Sequence, residues 1–282
     1  MGRNVVKAKL DVIFKKFFTR DKDLKTLSAF LEAVLDMPEN SITKIQVLDT
    51  KLLPTRIDGK QGDLDLKVYM NDSVVNVEIQ IEDERNYRDR SVYYWSKTYS
   101  DELKKGQDYN DLKPTICINI MNFKIFECEE AYSTFKLLET DRHEILTDKC
   151  AILFFELKKI NDKIEPNNRK KLWLQLINAE TEEELDMLNE TGVPEIQKAV
   201  VTLREMSQDE EIQEMARLRE KWIMDHNSAM RNAERKGMEK GIEKGMEKGR
   251  QEGIEKMIAA MREMGMSEQQ IQAAVNLAQG KQ

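Results

Sequence analysis

The stretch "DLDLKVYMNDSVVNVEIQ", residues 63–80, constrains the fold more than any other part of the chain. Leu64, Leu66 and Val68 alternate with Asp63, Asp65, Lys67 and Tyr69 in its first half. Val75, Val77, Ile79 and Ile81 alternate with Asn76, Glu78, Gln80 and Glu82 in its second. Period-two alternation on both sides of Asn71-Asp72 predicts a β-hairpin with a two-residue turn. That turn sets the register: Met70 opposite Ser73, Val68 opposite Val75, Asp65 opposite Glu78 and Asp63 opposite Gln80. A one-residue slip would mismatch the two apolar faces, so the pattern specifies this pairing.

The register carries an electrostatic cost. Directly opposed residues hold their Cβ atoms about 5 Å apart. Asp65 and Glu78 therefore repel unless one is protonated or a cation lies between them. In a solvated hairpin that repulsion is a few tenths of a kcal/mol, and an exposed acidic face accounts for it. In a site, a divalent ion held by oxygen ligands is the simplest remedy. Mg²⁺ suits one or two carboxylates and retains several waters.

The segments around the hairpin give the fold class. "KLDVIFKKFF" and "LKTLSAFLEAVLDM" place apolar residues at helical spacing, and "ITKIQVLD" alternates as a strand. "YRDRSVYYWSKTYSDELKKG" reads as a helix with Val92, Trp95, Tyr99 and Leu103 on one face, stopped at Gly106. Trp95 and Tyr99 are read as core. "PTICINIMNF" alternates. "AILFFEL" is a continuous apolar run suited to a central strand, and "NRKKLWLQLINA" returns to helix. The order helix, three strands, helix, two strands, helix predicts an α/β (α+β) domain with a mixed sheet flanked by helices, over residues 1–180.

Beyond it, residues 181–235 read as charged helices broken at Gly192 and Pro194. Residues 236–257 repeat every four positions, "GMEKGIEKGMEKGRQEG". A four-residue repeat drifts about 40° per unit on a helix, and each glycine costs about 1 kcal/mol against alanine. Two readings stay open: a solvated, partly helical tether, or a self-association helix in which the glycines allow close approach. Residues 258–282 read as a short helical hairpin around Gly265, with Ser267 and Gln270 as a capping box.

Composition bounds the chemistry. The 282 residues carry a net charge of −7, so no global field attracts a polyanion and any such site is local. Three scattered cysteines form no CxxC pair, which argues against a disulfide framework or zinc site and suits a reducing cytoplasm. Two histidines leave little for a histidine-centred triad. The start lacks a signal-peptide core, and no window spans a membrane.

Four stretches, "KLDVIFKKFF", "LDLK…NVEIQ", "RDRSVYYWSKTYSDELKKGQDYNDLKPTICINIMNF" and the glycine-glutamate-lysine tail, carry a family resemblance. The chain resembles the Rpn family, the PD-(D/E)XK nuclease family transposases, which are bacterial recombination-promoting nucleases. The third stretch is the most specific. The resemblance implies a restriction-endonuclease-like sheet and a divalent-metal-dependent endonuclease hydrolysing DNA phosphodiesters, in recombination or in defence against foreign DNA. It implies that Asp65 and Glu78 hold Mg²⁺ (or Mn²⁺ or Ca²⁺), with the Ile79 carbonyl as a further ligand. Gln80 stands where the superfamily usually has lysine, and its amide would orient a water or offer a carbonyl oxygen to the ion. Asp11 matches an acidic residue that some superfamily members add from the first helix.

Asp63 shares the site face, and Lys67, Lys97 and Arg90 are the accessory cations considered. Arg85, Arg88 and Arg90, followed by Tyr93 and Tyr94, are the expected DNA contacts, with Arg169, Lys170 and Lys171 a second basic cluster. A homodimer through the helical regions would suit double-strand cleavage. The competing reading is a catalytically degenerate DNA-binding or scaffold protein acting through its tail.

Overall fold

The hairpin forms in the expected register. In the computed structural model, which describes residues 5–48, 51–52, 62–63, 65–83 and 85–278, Met70 lies opposite Ser73, Val68 opposite Val75 and Leu66 opposite Val77. Helices α1 (Asp11–Thr19) and α2 (Lys25–Val34) precede it, with strand β1 (Ile45–Val47) and a small antiparallel pair, β2 (Lys51–Leu52) and β3 (Gly62–Asp63). The hairpin strands are β4 (Leu66–Met70) and β5 (Ser73–Gln80). There follow α3 (Tyr87–Asp101), β6 (Thr115–Met121), β7 (Tyr132–Phe135), β8 (Cys150–Glu156) and α4 (Arg169–Asn178). Among the described residues there follow α5 (Glu182–Asn189), α6 (Pro194–Gln208), α7 (Glu210–Glu263) and α8 (Glu268–Ala278).

Six strands form one mixed sheet in the order β1-β4-β5-β6-β8-β7. Its centre, β5-β6-β8, is parallel, and the flanking pairs are antiparallel. Parallel strands need a crossover, and α3 supplies the one between β5 and β6. The mixed α+β class is as the pattern of elements predicts. Strand β7 went unforeseen: it is four residues at the sheet edge, with no alternating burial.

Both faces of β5 are buried, the polar one included. Asn76 is fully buried and Glu78 nearly so. The exposed acidic hairpin face is thereby excluded. Helix α3 covers this side, and Asn76 donates to the Thr98 hydroxyl at 2.6 Å. The buried residues of α3 are consequently Tyr87, Ser91, Lys97 and Thr98, whereas Val92 is 53% exposed. The apolar stripe expected through Val92 is corrected: the helix is turned so that polar side chains meet a polar strand face. Trp95 packs partly buried against the core and donates to the Thr115 carbonyl at 2.9 Å, with Tyr99 stacked on it.

On the opposite face, α1 packs on β5. Phe14, Phe18 and Phe30 join Trp173 of α4 in a chain of ring contacts. Helix α6 adds Ile196, Ala199, Val200, Leu203 and Met206, all buried. The compact unit accordingly runs to Glu220, and the boundary expected near residue 180 falls inside it.

The second unit, Lys221–Gln282, contains the rest of α7 and α8. The repeat is continuous helix, within an α7 of 54 residues. Its side chains from Lys236 to Glu252 are exposed, and charged ones pair along the helix, Arg235 with Glu239 at 2.8 Å and Lys248 with Glu252 at 3.8 Å. Such pairs return a few tenths of a kcal/mol each against the cost of the glycines. Gly265 takes the left-handed φ of 77° that ends the helix, and the Ser267–Gln270 capping box opens α8 as expected.

Candidate active site

Asp65 directly precedes β4, and Glu78 sits near the end of β5. Extending the hairpin register by one pair sets them opposite each other, as the sequence implies. The 70–73, 68–75 and 66–77 pairs next to the two-residue turn are the hydrogen-bonded kind, so 65–78 is of the closer, non-hydrogen-bonded kind. At that point the ladder changes partner: the Ile79 N–H donates to Asp65 Oδ2 at 2.7 Å instead of to a strand carbonyl. The N–H and C=O of one strand residue leave by the same edge, so the Ile79 carbonyl also faces the Asp65 side.

Both carboxylates resist ionisation. Burial is the main reason that Asp65 is pushed up to about 6, and Asp11 adds repulsion. The Ile79 N–H, Arg90 and Arg219 oppose it. Glu78 is pushed well above the carboxylate range by burial first and then by Asp65, with Arg90 opposing. Arg90 Nη2 lies 3.9 Å from Glu78 Oε2, and its guanidinium stands 5.5 Å from the Tyr87 ring centre and 5.3 Å from that of Tyr94. Glu78 Oε1 is buried with no hydrogen-bond partner, and so is the Tyr87 hydroxyl. An orphaned buried oxygen costs about 1–3 kcal/mol, more for a charged group.

The other expected site residues divide. Gln80 lies at the rim of the site and donates its amide to the Glu82 carbonyl at 3.1 Å. Asp11 is clasped by Arg219, with Nε to Oδ1 at 2.7 Å and Nη2 to Oδ2 at 2.6 Å. The Asp63 side chain lies outside the described residues. Lys67 and Lys97, considered as substitutes for the missing lysine charge, turn instead to acids at the C-terminal end of α3. Lys67 meets Glu102 at 3.6 Å, and Lys97 meets Asp101 at 3.2 Å.

The expected DNA contacts are also partly occupied. Arg88 donates to the Ile125 carbonyl and lies 4.7 Å over the Phe126 ring. Arg85 is exposed, with a left-handed φ of 62° and its N–H on Asp83. Tyr93 is exposed, and its ring lies 6.0 Å from that of Tyr94. The second basic cluster is structural: Arg169 pairs with Glu195 at 2.6 Å, Lys170 with Asp36 at 2.6 Å and Lys171 with Glu165 at 2.8 Å.

Two residues escaped sequence reasoning. Arg219 comes from 208 positions beyond Asp11, and no local pattern links them. Tyr87 opens α3 and looked like one more aromatic in an aromatic-rich helix.

The residues present fit an oxygen-liganded divalent ion. Asp65, Glu78 with its orphaned Oε1 and the outward Ile79 carbonyl are hard oxygen donors. Among the described residues no cluster of three or more His, Cys, Asp or Glu is placed to hold a metal, so main chain and water would complete such a site.

The family model for the PD-(D/E)XK nuclease family transposases matches residues 8–233, from before Asp11 to beyond Arg219. Neither the curated proteins nor the solved structures yield a significant match. Nucleases of this superfamily generally use divalent metals and act on DNA, and no described helix here is long and apolar enough to cross a membrane. With four-fifths of its length matched and the fold in agreement, the chain belongs to the PD-(D/E)XK nuclease family transposases.

Proposed function

We propose that the protein is a divalent-metal-dependent DNA endonuclease with its site at the open end of the β4–β5 hairpin. The observation that carries this reading is the opposed pair Asp65 and Glu78, both buried enough to resist ionisation, with Glu78 Oε1 lacking any partner. Two such carboxylates side by side cost stability once both ionise, unless a cation joins them.

Asp65, Glu78 and the Ile79 carbonyl would hold the ion, Mg²⁺ or a close relative. When bound, it supplies the charge that lets water ionise near neutral pH and that polarises a phosphoryl oxygen. The chain's own residues do the rest. The Ile79 N–H fixes the Asp65 carboxylate. Arg90, beside the Tyr87 and Tyr94 rings, opposes the burial and the Asp65 charge that hold a proton on Glu78. Gln80, at the rim, orients the attacking water through its amide without lending charge. Arg85 and Tyr93, both exposed, contact the DNA backbone.

We further propose that two copies associate through α7. Met238, Ile242 and Met246 stand 68%, 55% and 71% exposed along it, an apolar row that a second copy would cover. Deleting residues from Lys236 onward is expected to lower the mass measured in solution, and an unchanged mass refutes the association. A role in recombination or defence is the biological setting that we assign to such an enzyme.

The test is plasmid nicking by the purified protein with Mg²⁺, Mn²⁺ or Ca²⁺. Nicking that needs metal and disappears in Asp65→Ala and Glu78→Ala is expected. Absence with every metal, or persistence in both variants, leaves a degenerate DNA-binding or scaffold protein as the better reading.

A further inference from the structure

The Glu78-Ile79-Gln80 motif leaves the site without the charge that a lysine at position 80 would bring. The cations considered from sequence do not replace it: Lys67 and Lys97 are engaged by Glu102 and Asp101. Arg90 lies behind Glu78, between two tyrosine rings, as its counter-ion. Arg219 is paired too, but its side chain is 31% exposed, against 13% for Lys67 and 9% for Lys97. It lies near the start of α7, within the same compact unit as the sheet, and presents its fork to Asp11 in the first turn of α1.

We propose that Arg219 is the cation that meets a phosphate of the bound DNA strand, exchanging the Asp11 carboxylate for phosphate oxygens and filling the place that Gln80 leaves neutral. The proposal rests on the nuclease reading above and names a residue which that reading does not use.

Four observations carry it. A guanidinium that grips a carboxylate with two parallel N–H donors has the geometry that also fits a phosphate. Asp11 thus holds the fork preformed in the absence of substrate. The side chains of Arg219 and Asp11 are 31% and 27% exposed, so the fork opens to solvent and the exchange leaves neither charge stranded in the interior. The pair also lies by the strand that carries the site: α1, with Asp11 in its first turn, packs on β5. Finally, the family match encloses both partners, from before Asp11 to beyond Arg219.

Asp11 is then a counter-anion that DNA displaces, and not a metal ligand. That assignment makes the two halves of the pair unequal, which a structural staple between α1 and α7 would not do. In a staple, loss of either partner has the same effect. In a phosphate fork, removing the arginine weakens DNA contact, while removing the aspartate charge takes away the anion that competes with phosphate and strengthens it.

The experiment compares full-length wild type with Arg219→Met, Arg219→Lys and Asp11→Asn. Plasmid nicking is followed in Mg²⁺, and binding of a short duplex is followed by fluorescence anisotropy in Ca²⁺ over a range of salt. Arg219→Met is expected to lower the cleavage rate about 100-fold, the effect of losing one donor to transition-state charge. It should also reduce the salt slope of binding by about one. Arg219→Lys recovers part of both, and Asp11→Asn binds the duplex more tightly than wild type.

Cleavage and salt slope unchanged in Arg219→Met overturn the proposal. So does an Asp11→Asn variant that loses as much binding as Arg219→Met, the signature of a staple. Should wild type fail to cleave with any metal, the nuclease reading falls, and the binding slopes alone decide whether Arg219 meets phosphate. Should circular dichroism show Arg219→Met unfolded, Arg219→Lys and Asp11→Asn decide in the same way.

Discussion

The Asp65 carboxylate accepts the Ile79 N–H at 2.7 Å, taking over a main-chain donor just where the β4–β5 ladder gives out. One bond thus fixes a side chain and turns the Ile79 main chain toward it. The same carboxylate is buried beside Glu78 and Asp11, and burial pushes it up to about 6 from an ordinary 3.8.

That shift predicts a pH-dependent stability with a definite sign. The folded, metal-free protein binds the Asp65 proton more tightly than the unfolded chain does. Its ionisation therefore costs stability as pH rises from about 4 to above 6, and the cost is absent at still lower pH. Asp65→Asn keeps an acceptor for Ile79 and removes the charge. In EDTA at pH 7.5 the variant is expected to melt above wild type, with the gap closing as pH falls toward 5. Thermal melts of both proteins across that range check it; a gap independent of pH contradicts the assignment.

Metal binding should reverse the order. An ion that binds only the folded state raises stability by about 2.7 kcal/mol at one hundred times its dissociation constant. Mg²⁺ or Mn²⁺ is therefore expected to raise the wild-type melting temperature and leave the double variant Asp65→Asn/Glu78→Gln unmoved. Because protons compete for both carboxylates, the metal-induced gain should shrink as pH falls through 6. Equal stabilisation of wild type and double variant would show that the ion binds elsewhere.

These expectations rest on the part of the molecule most legible in the sequence. The hairpin register could be read because two matched alternations and a two-residue turn admit one pairing, and Met70–Ser73 through Leu66–Val77 follow it. Helix α3 was legible as a helix but not in its orientation. Hydrophobic periodicity seeks apolar stripes, and here the helix buries Thr98, which accepts from Asn76, and Ser91, leaving Val92 in solvent. The Asp11–Arg219 pair joins positions 208 apart, and α6 enters the core far past the last strand; no local signal reports either. Strand β7 borrows its regularity from β8 along the sheet edge, so its own residues show little.

The glycine repeat of α7 yields a prediction about the helix itself. A Cβ built on Gly241, Gly245 or Gly249 meets no atom within 4 Å. Alanine there is expected to stabilise the helix by about 1 kcal/mol per site through helix propensity. Circular dichroism at 222 nm during thermal melting should show the second unit of Gly241→Ala/Gly245→Ala melting higher than wild type. A lower melt would mean that the glycine row is in close contact with a second copy, and that the apolar row beside it is not the sole interface.

Arg90 supplies the last prediction. It stands 3.9 Å from Glu78 and is braced by the Tyr87 and Tyr94 rings, so it is the cation that offsets part of the cost of ionising Glu78 in the interior. Removing it as Arg90→Met leaves Glu78 facing burial and Asp65 with less to oppose them, and Glu78 holds its proton to higher pH. Metal binding, which requires the ionised form, should then begin at higher pH by about one unit or more, as for the loss of an opposite charge at this range. Arg90→Lys keeps the charge but not the flat stacking between rings, so its onset should fall between those of wild type and Arg90→Met. Following the Mg²⁺-induced rise in melting temperature against pH reads the onset without requiring cleavage. If that onset is the same in all three proteins, Arg90 is packing between tyrosines and not the counter-ion of Glu78.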